Sequence, residues 1–242
     1  MKSFTIVIPV YEDVNLLDVA APREMFGWWD DSDNTRAIQI VVAAETKGIV
    51  RTFSSTAKDK PQRTGLKIVP DASFSEIGVA DLLWTPGGSV DALRQQMKNP
   101  AYMGFLKRVA LDAAYVTSVC EGALLLAEAG LLDGFRATTH WAFVRCLAMH
   151  ERIQVIPDPN SPDPKFPRFV VDDHNGALTK GIRVTGGGIS SGLDEALEII
   201  RRIAGTDVAS AVQTTTQYFP EPPVQAPEPG FTECPLTRSA AD

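Results

Sequence analysis

With 242 residues, 44% of them apolar, the chain can bury a large core and fits one domain with a tail better than two small domains. A formal charge of -7 without a basic stripe excludes the electrostatic footprint of a nucleic-acid binder. No apolar run approaches the roughly 18 residues of a membrane span, so small-molecule or protein partners are expected, and no membrane partner. Three cysteines at unrelated spacings do not make a disulfide framework, and MKSFTIVIPV enters a strand without a signal-peptide core, so a reducing cytoplasm is expected.

Phe4 to Val10 is a continuous apolar run, the pattern of a strand buried on both faces of a parallel sheet. Val14 to Trp29 follows with helical spacing. Pro22 is tolerated only in a first turn, which predicts that the helix proper starts near Val19 to Ala21 with Asp18 at its mouth. Trp28 and Trp29 close it as core residues or as part of a dimer interface. Ile38 to Ala44 and Leu66 to Val69 are strands. Ala80 to Thr85 is another, and it ends in Pro86-Gly87-Gly88, whose adjacent glycines leave the backbone amides bare before a helix from Val90 to Met97.

A helix over Pro100 to Ala114 leads to VTSVCEG, residues 116 to 122. Here a β-branched run delivers Cys120 onto the start of an apolar helix, Ala123 to Ala129, ended by Gly130 and Gly134. The amides and dipole of that helix favour an anion, so Cys120 is expected to titrate below an ordinary thiol and act as a nucleophile. Free cysteines more often serve as small buried hydrophobes, and Cys146 and Cys234 are read that way. Phe135 to Thr138 reads as a strand and His140 to Met149 as a helix. Pro157 to Pro167 is too proline-dense for either and reads as an inserted loop or lid.

Arg168 to Asp172 and Ala177 to Val184 form an expected hairpin across His174-Asn175-Gly176. Gly186, Gly187 and Gly188 then bring the chain into a helix from Ser191 to Ala204, with a last helix at Asp207 to Gln213. The glycine run lacks the lysine and hydroxyl of a phosphate loop, so tight backbone passage at a pocket wall is the reading. From Phe219 onward prolines forbid regular structure, giving a domain of 1–218 and a tail of 219–242. Alternating strands and helices with glycine turns imply an α/β fold, a three-layer α/β/α sandwich with a mostly parallel sheet, whose ligands bind beyond the carboxyl ends of the strands.

Asp18, Gly87-Gly88 and Cys120 fall at such ends and are expected to converge. The amides of Gly88 and Glu121 would form an oxyanion-type cradle. Asp18, among apolar neighbours, would have a raised pKa and sit protonated beside the thiolate. Its plain alternative is a helix cap. His140, Cys146 and His150 make a poor metal site, because their spacing does not share one helical face.

The order of DxxxP near the first strand, PGG, SVCEGALLLAEAGLLDG, RATTHW and VTGGGISSGLDEAL resembles the ThiJ/PfpI superfamily over nearly all of residues 4 to 219. The resemblance implies a glutamine-amidotransferase-like fold, a homodimer, no cofactor and no metal. Asp18 in place of the usual glutamate is similar to the isocyanide (isonitrile) hydratase branch. That implies hydration of an isocyanide to an N-substituted formamide by Cys120 with Asp18 as acid and base. Thr139, His140, Gly188 and Ile189 would line the pocket. Glu121 departs from that branch, which usually has threonine there, and is expected to be dispensable as a side chain. A dicarbonyl glyoxalase or deglycase, and a cysteine redox sensor or chaperone, are the alternatives.

Overall fold

The apolar run after the N-terminus becomes β1 (Lys2–Pro9), a strand with neighbours on both sides. It is followed by α1 (Leu16–Ser32), β2 (Arg36–Ala44), β3 (Val50–Arg51), β4 (Lys67–Ile68), β5 (Ala72–Ser73) and β6 (Leu82–Thr85). Next come α2 (Val90–Met97), α3 (Pro100–Ala110), β7 (Tyr115–Ser118), α4 (Gly122–Glu128), β8 (Arg136–Ala137), α5 (Val144–Leu147) and β9 (Gln154–Val155). The chain closes with β10 (Phe169–Asp172), β11 (Ile182–Gly186), α6 (Ser191–Ala204) and α7 (Thr206–Thr215). This computed structural model describes residues 2–33, 35–53, 65–173 and 181–237.

Seven strands form the central sheet in the order β10-β11-β7-β6-β1-β2-β5, parallel throughout except for β10 against β11. Two groups of helices flank it: α1, α6 and α7 pack on one another, as do α2, α3 and α4. The mixed α/β architecture expected from the sequence is the one observed. Because β11, β7, β6 and β1 are adjacent and parallel, the loops that follow them emerge at one edge, which places their glycines, Cys120 and the start of α1 together. The middle of the sheet is covered on both faces, and Ile6, Val7, Leu82, Leu83 and Val116 are wholly buried.

Several boundaries differ from the sequence reading. The first helix starts at Leu16 and carries Pro22 in its interior. A proline there has no N–H for the carbonyl of Asp18, four residues earlier. The indole of Trp84 donates to that carbonyl instead, at 2.9 Å, so the orphaned acceptor is satisfied from the sheet and the helix continues. The expected helix over His140 to Met149 is a 3-10 turn at Trp141–Phe143 and the single turn α5. The strand over Phe135 to Thr138 shrinks to β8. The hairpin keeps its antiparallel pairing, Phe169 opposite Gly186 and Asp172 opposite Arg183, and its turn lies outside the described residues.

The cysteine expectation is overturned. Cys146 and Cys234 are joined by a disulfide across 88 residues of sequence, which also removes the cysteine argument for a reducing compartment. The bridge belongs to a set of contacts that holds the proline-rich tail down. Arg94 donates to the carbonyls of Pro235 and Leu236 at 3.2 and 3.3 Å, Phe231 meets the ring of Phe166, and Thr232 donates to the Ala142 carbonyl. The inserted segment is tied to the same tail through Phe166 and through Lys165 beside Glu228. Among the described residues no helix is long and apolar enough to cross a membrane.

Candidate active site

Cys120 stands between β7 and α4 with φ at +55°, a left-handed backbone that side chains rarely adopt. The surroundings hold it there. Its amide donates to the Gly187 carbonyl at 2.8 Å, its carbonyl accepts from Thr139 Oγ1 at 2.8 Å, and the preceding Val119 amide donates to the Thr85 carbonyl at 3.1 Å. The elbow is therefore fastened to the loop after β11, to the segment carrying Thr139 and to the end of β6. Gly122 completes the turn, since a Cβ there would lie 2.0 Å from the Thr85 carbonyl oxygen. Thr139 is thus a support for the elbow, buried at 2% exposure.

Asp18 occupies the first turn of α1, and the cap position falls to Asn15. Neither side chain caps the helix: Asp18 Oδ2 accepts from the Gly87 amide at 2.9 Å, and the Asn15 amide turns toward the thiol. Asn15 Nδ2 lies 3.0 Å from Glu121 Oε2, 3.4 Å from Asp18 Oδ2 and 3.7 Å from Cys120 Sγ. One neutral amide thus gathers two carboxyl groups and the sulfur into a single cluster. Asp18 and Cys120 are wholly buried, Glu121 nearly so, and Asp18 Oδ1 has no hydrogen-bond partner among the described residues.

The electrostatics of this cluster reverse one expectation and uphold another. Burial, then the like charges of Glu121 and Asp18, push the Cys120 thiol well above its ordinary value, against the lowering expected from the helix start. A dipole worth a fraction of a charge does not offset desolvation plus an adjacent carboxylate. The resting sulfur is therefore a thiol. Asp18 is pushed well above the carboxylate range by burial and by Glu121, so it holds a proton as expected. Glu121 is also raised by burial, but hydrogen bonds from Cys120, its own amide, Asn15 and the Gly88 amide pull it back down. The two carboxyl groups are thereby separated in acidity, with Asp18 the stronger holder of its proton.

The Glu121 side chain lies against the glycine loop of the expected amide cradle. The Gly87 amide serves Asp18, and Glu121 Oε2 accepts from Asn15 Nδ2. Gly87 has no side chain to obstruct this: a Cβ would sit 2.3 Å from Glu121 Oε2 and 3.1 Å from Asp18 Oδ2. At Gly88 a Cβ would meet the ring of Tyr11 at 2.9 Å, and Tyr11 in turn donates to the Pro86 carbonyl. The glutamate side chain read as dispensable is thus at the centre of the site.

His140 Nδ1 accepts from the Ala142 amide at 3.2 Å, so in the neutral ring the proton sits on Nε2. Burial lowers its pKa and favours that neutral form. Its ring passes Gly188, where a Cβ would be 3.3 Å from Cδ2. Ile189 beside it is 39% exposed. The Cys120 sulfur, a Glu121 carboxyl oxygen and a His140 ring nitrogen lie within 4.8 Å of one another. The metal set considered from the sequence, His140 with Cys146 and His150, is broken by the disulfide.

Sequence comparison decides the family: the DJ-1/PfpI family model matches residues 5–179. The chain belongs to the DJ-1/PfpI family. Within it, isonitrile hydratase of Pseudomonas putida is 36% identical over 166 residues, 69% of this chain and 64% of that protein, so the match spans less than two thirds of the relative's length. The transcriptional regulator GbdR of Pseudomonas aeruginosa is 28% identical over 64% of this chain, a match that spans 37% of the regulator. Among solved structures, a ThiJ/PfpI family protein from Pseudomonas syringae superposes with a TM-score of 0.75 at 29% identity, covering 94% of this chain and 80% of that one. DJ-1beta of Drosophila melanogaster shares the fold at TM-score 0.66 and 15% identity, over 89% and 98% of the two chains.

Proposed function

We propose that this DJ-1/PfpI protein hydrates an organic isocyanide, R-NC, to the N-substituted formamide. The carrying observation is one buried cluster in which the Asn15 amide reaches Cys120 Sγ, Asp18 Oδ2 and Glu121 Oε2, with the Glu121 carboxyl group lying against the glycine loop where a substrate anion would sit. Acyl transfer and dicarbonyl chemistry develop charge on a substrate oxygen and need an open cradle. Attack on the terminal carbon of an isocyanide develops charge on carbon, and a carbon needs a proton instead.

In this mechanism the Cys120 S–H proton passes to a base in the site, to be returned when the sulfur leaves, as Sγ bonds to the terminal carbon and Asp18 delivers its proton to that carbon, giving R-N=CH-S-Cys120. Asp18, now ionised, takes a proton from water as the hydroxide adds to the same carbon. The hydroxyl proton moves to nitrogen, the carbon–oxygen double bond forms, and the sulfur leaves. The product is R-NH-CHO. The similarity to isonitrile hydratase supports this reading, and the partners it carries are the isocyanide and, from the family resemblance, a second copy of the chain.

Purified protein supplied with an alkyl or aryl isocyanide is expected to form the formamide. Cys120→Ser and Asp18→Asn should each lower turnover by more than about 100-fold. Lactate from methylglyoxal with no formamide from any isocyanide would replace hydration by dicarbonyl chemistry.

A further inference from the structure

The resting sulfur carries a proton, and Asp18 already carries one, so the proton released when sulfur bonds to carbon needs another acceptor. Asp18 cannot take it and donate at the same time. The Glu121 carboxyl group lies beside the sulfur, its oxygen within 4.8 Å of Cys120 Sγ, and is held there by the Asn15 amide at 3.0 Å. His140 is a less suitable acceptor, because Nδ1 is engaged by Ala142 and Nε2 holds the ring's proton. The bare Cα of Gly87 is what lets the carboxylate lie here, since a Cβ there would meet both Glu121 Oε2 and Asp18 Oδ2.

We propose that the Glu121 carboxylate is the general base that takes the Cys120 proton as the sulfur attacks, so that one carboxyl group accepts while the other donates. The proposal rests on the hydration reading above. As the S–C bond forms, the S–H proton passes to Glu121 and the Asp18 proton passes to the isocyanide carbon. When the C–S bond later breaks, Glu121 returns its proton to the sulfur, and Asp18 has recovered its own from water. Both carboxyl groups end each turnover as they began it, and no further reactant is needed beyond isocyanide and water. Ordering the two carboxyl acidities apart is what such a division of labour requires.

The test compares two pH profiles on the intact protein, Glu121→Gln and Glu121→Asp: kcat/KM for isocyanide hydration, and the rate at which iodoacetamide alkylates Cys120. Alkylation follows the thiolate. In the native protein hydration should stay level across the pH range in which alkylation is still climbing, because the base removes the proton within the step. In Glu121→Gln the thiol loses an adjacent negative charge and a hydrogen-bond acceptor, so alkylation near neutral pH should rise about tenfold. Hydration should nevertheless fall by about 30-fold or more there, and should climb with pH in parallel with alkylation. Glu121→Asp, which keeps the carboxylate, should keep the level profile at reduced rate.

Native hydration and alkylation climbing together, or Glu121→Gln retaining native hydration and profile, would overturn the proposal. Absence of hydration in the native protein would instead remove the reading on which it rests. In that event the alkylation profiles still report the thiol-to-Glu121 contact, and an unchanged inflection in Glu121→Gln would remove the contact as well.

Discussion

Asn15 stands at the helix position where asparagine ordinarily caps, and its amide goes instead to Asp18, Glu121 and Cys120. It lowers the pKa of both carboxyl groups, so that Glu121 can ionise beside a protonated Asp18. Asn15→Ala removes that support. Both pKa values should rise, so the acid limb of kcat/KM should move to higher pH and the neutral rate should fall about tenfold or more, read from the rate profile. An unchanged limb would make Asn15 a spacer. Cys120 and Asp18 were legible in the sequence because a strand, a glycine-flanked elbow and a carboxylate among apolar residues leave local signatures. Asn15 and the Glu121 side chain were not, because Asn15 precedes the expected helix start near Val19 to Ala21 and the Glu121 side chain reads as dispensable beside its amide. The sign of the thiol shift was also hidden, since it depends on two carboxyl groups that only the fold brings to the sulfur.

The elbow is the element on which the site hangs, and its geometry depends on β6 passing under Gly122. A methyl group at Gly122 would lie 2.0 Å from the Thr85 oxygen and 2.8 Å from the Thr85 carbonyl carbon, both backbone atoms of a wholly buried strand. Gly122→Ala should therefore lower unfolding free energy by about 1–3 kcal/mol and displace Cys120, with turnover lost, as measured by denaturant midpoint and formamide production. Gly104→Ala is the matched control. Nothing lies within 4 Å of a Cβ in the middle of α3, and the change should be neutral or stabilise by up to about 1 kcal/mol. Equal effects of the two substitutions would contradict this account of the elbow. The glycine spacing made this element readable, whereas the early start of α1 was not. Continuing a helix through Pro22 needs the Trp84 indole, a residue 66 positions from the carbonyl it satisfies.

At the scale of the molecule, the parallel sheet was legible in the buried apolar runs and intervening helices, and the tail attachment was not. A single pairing between Cys146 and Cys234 spans 88 residues, a proximity that no local pattern reports. Such a closure stabilises by about 2–5 kcal/mol, chiefly through the unfolded chain in the loop-entropy account. The same fold buries a third acid near the site. Glu195 on α6 is wholly buried, neither of its oxygens has a hydrogen-bond partner among the described residues, and burial and then Asp18 push its pKa well above the ordinary value. A raised folded-state pKa gives stability that is complete below the unfolded value of about 4.3 and is lost as pH rises through the folded value. Glu195→Gln, neutral at every pH, should match the native melting temperature in acid and exceed it in alkali. Parallel melting curves across that range would contradict the assignment.

Covalent bonding of Cys120 to the isocyanide carbon is read by intact-protein mass spectrometry of a reaction quenched during turnover. A transient gain equal to the whole isocyanide is expected, mapped to the peptide bearing Cys120, absent in Cys120→Ser and vanishing as formamide accumulates. Formamide produced at the native rate by Cys120→Ser, with no mass gain on that peptide, would contradict it.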